Sequence, residues 1–195
     1  MKQIILASTS QRRKDLLSRL RLDFKVIAGD YEEDMTLKLP PKELVQHLAL
    51  GKAKSVAAKG KNALIISADT IVVLGNQVLG KPHKPEVARR MLKKISGQIV
   101  SIITAFAIID TESGKKFADT AESKITIKKL SPTEIERYVN SGEPLDRAGA
   151  FAIQELGAVL IDKVEGDYLG AMGLPLRALA DALKNFGVDV LEKYQ

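Results

Sequence analysis

The sequence has no cysteine, few aromatic residues and no long hydrophobic run. Aromatic residues make up 5% of its 195 positions. The absence of cysteine excludes disulfides, thiolate nucleophiles and cysteine-rich metal sites. No apolar run approaches the roughly 20 residues of a membrane-spanning helix, and the apolar stretch after Lys2 is too short for a signal peptide. We therefore expect a cytoplasmic protein with no membrane partner.

The chain is basic, with a formal net charge of +6. Such an excess is typical of nucleic-acid-binding proteins. Here, however, the lysines are dispersed over amphipathic helices and strand faces, where solvation explains them. No aromatic platform for stacked bases lies among them. We therefore expect no stable nucleic-acid partner, and we assign the excess charge to a phosphate site.

Hydrophobic periodicity predicts alternating strands and helices, without repeats or linkers rich in proline or serine. Strand patterns occur at 3–7, 22–28, 63–67, 71–74, 78–79, 99–109, 117–128, 150–154 and 158–163. Helical patterns follow Ser10 and occur at 41–59, 85–95, 131–141 and 176–186. The helix at 131–141 begins with a capping-box pattern at Ser131 and Glu134, and residues 166–175 are predicted to form a glycine-rich loop. This order predicts an α/β fold with a mixed β-sheet, flanking helices and two lobes around a cleft. We expect a single domain over residues 1–195.

The first loop is rich in hydroxyls and arginines. Strand 3–7 runs into Ser8, and Arg12 and Arg13 stand at the start of a helix. A helix N-terminus offers free N–H groups, and guanidinium forks match phosphate oxygens. This pattern indicates a loop that binds a phosphorylated small molecule. The alternative is that Ser8 or Ser10 caps the helix while the arginines lie in solvent.

Two acidic segments are candidates for metal or proton chemistry. Asp69 follows the apolar strand 63–67, and ligands of open α/β sheets bind beyond the carboxyl ends of strands. An aspartate there can ligate Mg²⁺ or accept a proton from water, or it can simply cap a turn. The acidic loop 30–34 supplies either a second metal carboxylate or only solvated charges.

Residues 75–82 nearly match a phosphate-binding P-loop. Pro82, however, occupies the position where a P-loop needs serine or threonine to ligate Mg²⁺. The alternating residues around 75–77 predict a β-hairpin instead. Lys81 is then either a point charge for phosphate or an exposed loop lysine.

The polar loop 142–150 leads into a predicted strand that ends at Gln154. Loops with so many glycines and charges often carry function. Asp146 and Arg147 in this loop belong to a site or form a surface ion pair of little energetic value. The amide of Gln154 could contact a base edge as donor and acceptor, or lie at an exposed edge.

Five short motifs occur in one order along nearly the whole chain, at 6–13, 68–70, 80–82, 142–150 and 173–175. Together they closely resemble the Maf family of nucleoside triphosphate pyrophosphatases. The resemblance implies an elongated fold related to inosine triphosphate pyrophosphatases, with a deep cleft. It implies hydrolysis of a nucleoside triphosphate to monophosphate and pyrophosphate with a divalent metal, Mg²⁺ or Mn²⁺. It also implies a homodimer and a link to arrest of septum formation.

The resemblance also implies roles for individual residues of this chain. The implied substrate-binding residues are Ser8, Arg12, Arg13, Thr70 and Gln154. The implied catalytic residues are Asp69, as proton acceptor, together with Lys52 and Lys81. The implied metal ligands are Glu33 and Asp69.

The segment 146–150 with Gln154 resembles the branch of the family that acts on dTTP and UTP. A neutral amide suits uracil or thymine, whereas a carboxylate would suit a cationic methylated guanine. The chain departs from the family pattern at Gln11, where proline is usual, and at Glu155, where glycine commonly follows the glutamine. Two competing interpretations are house-cleaning of modified nucleotides and a non-catalytic module that binds phosphate or nucleic acid.

Overall fold

The computed structural model describes residues 2–194, so Met1 and Gln195 of the predicted domain lie outside the described residues. The strands are β1 (Gln3–Leu6), β2 (Phe24–Val26), β3 (Ala63–Leu74), β4 (Gln77–Leu79), β5 (Ile99–Asp110), β6 (Lys116–Ile127) and β7 (Ile161–Gly166). The α-helices are α1 (Gln11–Ser18), α2 (Pro41–Ala57), α3 (Pro85–Ile95), α4 (Pro132–Asn140), α5 (Tyr168–Met172) and α6 (Leu176–Lys184). No helix within residues 2–194 combines the length and apolar character needed to cross a membrane.

The strands form one mixed sheet in the order β2-β1-β3-β5-β6-β7, with β4 paired to part of β3. β1 runs parallel to β2 and β3, and the remaining pairs are antiparallel. The fold is therefore the mixed α/β arrangement that the order of elements predicts.

Both faces of the sheet are covered. Side chains alternate along β3, so Leu64 and Ile66 lie in one hydrophobic cluster while Ile65 and Ile71 lie in the other. Buried residues of α2 pack on the second face, and those of α1, α3, α4, α5 and α6 pack on the first. By the same alternation Asp69 points to the α2 face and Thr70 to the opposite face.

Several local predictions are confirmed. Leu74 pairs with Gln77 across a tight turn, so residues 75–82 begin with a hairpin and do not form a P-loop. Helix α4 starts with the predicted capping box. There the Glu134 amide donates to Ser131 Oγ at 3.2 Å, and the Ser131 amide donates to Glu134 Oε2 at 2.8 Å.

The predicted strand at 150–154 is wrong. Residues 151–154 are irregular and lie between two 3₁₀ turns, Ala148–Ala150 and Glu155–Leu160, and β7 begins only at Ile161. The physical reason is a left-handed backbone at Ala150 and Glu155, with φ of 61° and 63°. That backbone interrupts an extended chain, and neither residue is a glycine that would have signalled the turn.

Other boundaries also differ from the sequence patterns. The strand expected at 22–28 is limited to Phe24–Val26, and the loop expected at 166–175 contains α5. Asp69 was expected to follow a strand that ends at residue 67, yet β3 continues through it to Leu74. Its partner β5 pairs with β3 from Leu64 to Val73 and keeps it extended.

Candidate active site

A cleft of about 920 Å³ opens where the sheet is interrupted. One edge of β3 pairs with β1 over residues 63–66 and with β4 over residues 72–74. Between these two stretches, that edge has no strand partner in the described part of the chain. The gap exposes the middle of β3, and Asp69 and Thr70 line the cleft there. The end of neighbouring β1, rather than the end of β3 itself, therefore creates the site.

Separate segments of the chain line the cleft. They include the β1–α1 loop, α1, the β2–α2 loop, α2, β3, β5, the β4–α3 loop, the segment after α4 and the end of α5. Most of the site residues implied by the resemblance come together here. The lining includes Ser8, Arg12, Arg13, Glu33, Lys52, Asp69, Thr70 and Lys81.

Gln154 is the exception among the implied site residues. It is half-buried, and the lining of the cleft includes its neighbours Ile153 and Glu155 but not Gln154 itself. Its assignment to base recognition therefore stays a prediction.

The acidic side of the cleft is centred on Lys52. The Lys52 ammonium lies 2.6 Å from Glu33 Oε1 and 3.1 Å from Asp69 Oδ2, between the two carboxylates. On its other side, Asp69 Oδ1 lies 3.9 Å from Arg13 Nη2. Cationic and anionic side chains from four distant segments thus alternate within one cleft. Such an arrangement can hold a polyphosphate together with a divalent cation.

The acidic loop reaches Lys52 because α2 carries a glycine at residue 51. A Cβ on Gly51 would lie 2.2 Å from the Cζ atom of Tyr31, so only glycine lets this ring pack on the helix. A glycine inside a helix costs about 1 kcal/mol relative to alanine. The ring holds its loop against α2 and brings Glu33 to Lys52.

Tyr31 itself also lines the cleft, and the sequence analysis missed it. Burial raises the pKa of its phenol, and the carboxylates of Asp69 and Glu33 raise it further. Tyr31 is therefore protonated at neutral pH and offers the cleft a hydrogen-bond donor. The glycine within a helical pattern at Gly51 was the available signal that a bulky group packs there.

Arg13 is a largely buried arginine that links three elements. Its Nε donates to the Gly173 carbonyl at 3.0 Å, and its Nη2 donates to Thr70 Oγ1 at 3.3 Å. Burial lowers the pKa of Arg13, while Asp69 and then Glu33 raise it. The guanidinium remains charged at neutral pH. Arg13 therefore supplies fixed positive charge beside Asp69 and joins α1 to β3 and to the end of α5.

The opposite side of the cleft is also cationic. Arg12 is exposed to the cleft, and its pKa is lowered by desolvation first and then by the nearby charges of Arg147 and Arg13. The Arg12 guanidinium is thus close enough to feel repulsion from both of the others, which favours an anion beside it. Lys81 donates to Asp146 at 2.8 Å on the same side.

Asp146 and Arg147 belong to two different ion pairs. Asp146 accepts from Lys81, and Arg147 Nη2 lies 3.3 Å from Glu155 Oε2. Arg147 lines the cleft, so it is a candidate binding residue that the sequence analysis left undecided. Only the fold shows which neighbour each charge contacts.

The hydrogen bonds of Ser8 and Ser10 distinguish between the two interpretations of the first loop. Ser8 lines the cleft, and its Oγ accepts the Ser10 amide at 3.2 Å in a local turn. Within the described residues, the Ser10 side chain makes no capping hydrogen bond to α1. The first turn of α1 therefore keeps free N–H groups beside Arg12 and Arg13, as an anion-binding loop requires.

The wall that carries Glu155 is held from behind by Glu143. Glu143 Oε1 accepts from the Tyr138 hydroxyl and from the Gly157 amide, each at 2.8 Å, and its Oε2 accepts from the Leu156 amide at 3.0 Å. Burial, together with the Glu143 carboxylate, raises the pKa of Tyr138 well above its usual range. The phenol therefore stays protonated and keeps donating to Glu143.

Glu155 occupies a conformation that favours glycine, with φ of 63°. The position matches the glycine that commonly follows the glutamine in the family. The left-handed backbone costs a residue with a Cβ about 1–2 kcal/mol. Its carboxylate in turn lies beside the Arg147 guanidinium. We interpret this position as local strain retained for a charge at the cleft.

We expect Glu155→Gly to be more stable than Glu155→Ala by about 1 kcal/mol, because only the alanine keeps the left-handed strain without the carboxylate. Urea unfolding of both variants, with the unchanged protein beside them, measures the difference. A more stable alanine variant would show that the backbone at Glu155 is not strained.

The metal ligands implied by the resemblance can be tested by comparing their oxygen atoms with those that usually bind Mg²⁺ in proteins. Asp69 Oδ2 is buried, and no described residue gives it a well-oriented hydrogen bond, although the Lys52 ammonium lies 3.1 Å away. Among residues 2–194 there is no group of three or more His, Cys, Asp or Glu side chains that could hold a metal ion. One or two carboxylates, completed by phosphates and water, are the usual protein contribution to Mg²⁺. Glu33 and Asp69 fit that pattern.

Fold and site together define an α/β protein whose interrupted sheet forms a charged cleft for a multiply anionic ligand. A family model described as Maf-like protein matches residues 3–186. The chain belongs to the Maf family.

Curated relatives cover almost the whole chain. A protein from Methanococcoides burtonii named dTTP/UTP pyrophosphatase is 44% identical over 98% of this chain and 99% of its own length. A protein of the same name from Thermoanaerobacter sp. is 46% identical over 93% of this chain and 95% of its own. Among solved structures, the Staphylococcus aureus Ham1 protein matches with a TM-score of 0.47 and 16% identity. That match covers 65% of this chain and 72% of that one, and we base no conclusion on it.

Proposed function

We propose that this protein hydrolyses dTTP and UTP to the nucleoside monophosphate and pyrophosphate. The observation that carries the proposal is the Glu33–Lys52–Asp69 cluster, which shares one cleft with Arg12 and Arg13. Membership of the Maf family and relatives named dTTP/UTP pyrophosphatase support the same chemistry here. A nucleoside triphosphate is the proposed partner of the cleft.

Glu33 and Asp69 would hold the divalent metal, Mg²⁺ or Mn²⁺. The buried Oδ2 of Asp69 supports this assignment because no residue in the described part of the chain gives it a competing hydrogen bond. When bound, the metal offsets negative charge on the triphosphate. Lys52, beside both carboxylates, would pair with the incoming phosphates.

Asp69 is the proposed proton acceptor. It orients a water molecule and takes its proton as the water oxygen attacks the α-phosphorus. The bond between the α-phosphorus and the bridging oxygen to the β-phosphate breaks, and pyrophosphate leaves. The charge on the leaving group is offset by three positions of the cleft, at Lys52, Arg12 and Arg13.

Lys81 would act at the outer end of the same path. It is half exposed and held by Asp146 at 2.8 Å. A flexible ammonium at this position can exchange the carboxylate for a terminal phosphate as the nucleotide enters. Asp146 would keep Lys81 near the cleft until that exchange.

Selection of pyrimidine bases is assigned to Arg12, Thr70 and Gln154. The neutral amide of Gln154 offers both a donor and an acceptor, which complement the edge of uracil or thymine. To make this contact, the Gln154 side chain would have to rotate into the cleft, which its neighbours Ile153 and Glu155 already line.

A panel of standard and modified nucleoside triphosphates, incubated with Mg²⁺ or Mn²⁺ and assayed for pyrophosphate release, tests the proposal. We expect dTTP and UTP to be the preferred substrates and a chelator to abolish release. Broad hydrolysis of modified nucleotides at higher rates would favour house-cleaning. Salt-sensitive binding of polynucleotide without pyrophosphate release would favour a non-catalytic module.

A further inference from the structure

We propose that Thr104 is a positioning residue that orients the Thr70 hydroxyl, so that Thr70 presents only a hydrogen-bond acceptor to the cleft. The acceptor selects nucleotides whose nucleoside part donates a hydrogen bond at that point. The inference rests on the proposed function in taking the ligand to be a nucleoside triphosphate. Thr104 does not line the cleft and acts through its neighbour.

The two threonines are direct partners across neighbouring strands. Thr70 of β3 pairs with Thr104 of β5, and their Oγ1 atoms lie 2.8 Å apart. Thr104 is fully buried, whereas Thr70 is partly exposed at the cleft. The Thr104 hydroxyl also lies 2.7 Å from the Gly170 carbonyl oxygen in α5.

Each hydroxyl has a single hydrogen to donate, and this fixes the direction in which the series of hydrogen bonds runs. The Gly170 carbonyl has no hydrogen, so Thr104 must donate to it. Thr104 can then only accept from Thr70, whose own hydrogen is used in that bond. Because a guanidinium is a donor only, Arg13 Nη2 donates to Thr70 at 3.3 Å. The order of donation is therefore from Arg13 through Thr70 and Thr104 to Gly170.

This order leaves Thr70 with one lone pair and no hydrogen for a ligand. Ionised phosphate oxygens are acceptors, so Thr70 has no hydrogen to donate to the triphosphate, and we assign its contact to the nucleoside. The donors there are the imide N–H shared by uracil and thymine, and the sugar hydroxyls. Cytosine has an acceptor at the equivalent ring nitrogen, so two acceptors would face each other. Thr104 thereby discriminates against cytosine if the donor is the imide.

The full chain with Thr104→Val keeps the side-chain shape but removes the partner of Thr70. The Thr70 hydrogen is then free to turn toward the cleft and donate. We expect the ratio of UTP to CTP affinity to fall by about tenfold, the value of one hydrogen bond. Calorimetric titration with each nucleotide in the presence of a chelator measures the ratio without turnover. Thr104→Ser, which keeps the hydroxyl, should retain the ratio of the unchanged protein.

Pairs of nucleotides distinguish the two donors. UTP and CTP differ at the base, whereas dTTP and its 3′-deoxy analogue differ at the sugar hydroxyl. A change confined to the first pair assigns the contact to the imide, and a change confined to the second assigns it to the sugar. Equal loss of affinity for all four nucleotides would overturn the proposal.

Thr70→Val gives an independent test if Thr104→Val fails to fold in urea unfolding experiments. This variant removes the accepting hydroxyl itself. The UTP-to-CTP affinity ratio and the ratio of dTTP to its 3′-deoxy analogue should therefore approach the values expected for Thr104→Val. Unchanged ratios in Thr70→Val would overturn the proposal. Because the readout is binding, the result is separate from the hydrolysis of dTTP and UTP, which the unchanged protein tests on its own.

Discussion

Asp69→Asn is expected to lower kcat for pyrophosphate release by about 10²–10⁴-fold, the range for a lost general base. The amide keeps the shape of the side chain but cannot take a proton from the attacking water. Arg13 and Lys52 remain in place, so nucleotide binding should change much less than turnover. Steady-state kinetics with dTTP and UTP measure kcat and KM separately.

Asp110→Asn is a matched control for this prediction. Asp69 and Asp110 are both 6% exposed, so they differ in location more than in burial. Asp110 ends β5 at the far end of the sheet, where it accepts from Lys2 at 2.7 Å and from Ser113 at 2.6 Å. Asp110→Asn should lower the free energy of unfolding and leave kcat unchanged. Full activity of Asp69→Asn would remove Asp69 from the proposed mechanism.

Lys52→Met is expected to lower kcat by about 10²–10³-fold, the usual effect of removing one preorganised donor to a developing negative charge. The ammonium is largely buried between Glu33 and Asp69, where the low local dielectric makes its charge effective. Without it, the carboxylates face the triphosphate with less positive charge between them. Pyrophosphate release at saturating nucleotide and metal gives the magnitude.

Lys54→Met provides the control on the same helix. Lys54 is exposed and does not line the cleft, and it differs from Lys52 by two positions along α2. The two variants remove the same charge from the chain, so net charge alone cannot explain a difference between them. Equal activities of the two variants would contradict the role of Lys52.

Much of the secondary structure follows from local patterns. The capping box at Ser131, the hairpin at 75–77 and the helix over Pro85–Ile95 were predicted because each depends on residues close in sequence. The strand expected at 150–154 failed for the opposite reason. Left-handed residues at its two ends, Ala150 and Glu155, break the extended pattern, and alanine or glutamate gives no local sign of them.

The sequence predicted most of the residues that line the site but not which of them contact each other. Motifs at Arg13, Glu33 and Asp69 indicated charges that belong together, and the cleft contains them all. Their partners were not predictable. Arg13, for example, contacts the Gly173 carbonyl across 160 positions of sequence. Tyr31 was missed as well, because its place depends on packing against Gly51.

The sequence by itself determined most of the strands and helices and most of the charged residues of the cleft, because propensity, capping and hydrophobic period act over a few neighbouring residues. Only the tertiary structure decided where the sheet is interrupted and which two carboxylates, those of Glu33 and Asp69, lie on either side of Lys52. It also decided the direction of the hydroxyl chain from Arg13 to Gly170. These features depend on strand register and on contacts between distant segments, where one residue of slip would turn Asp69 to the other face.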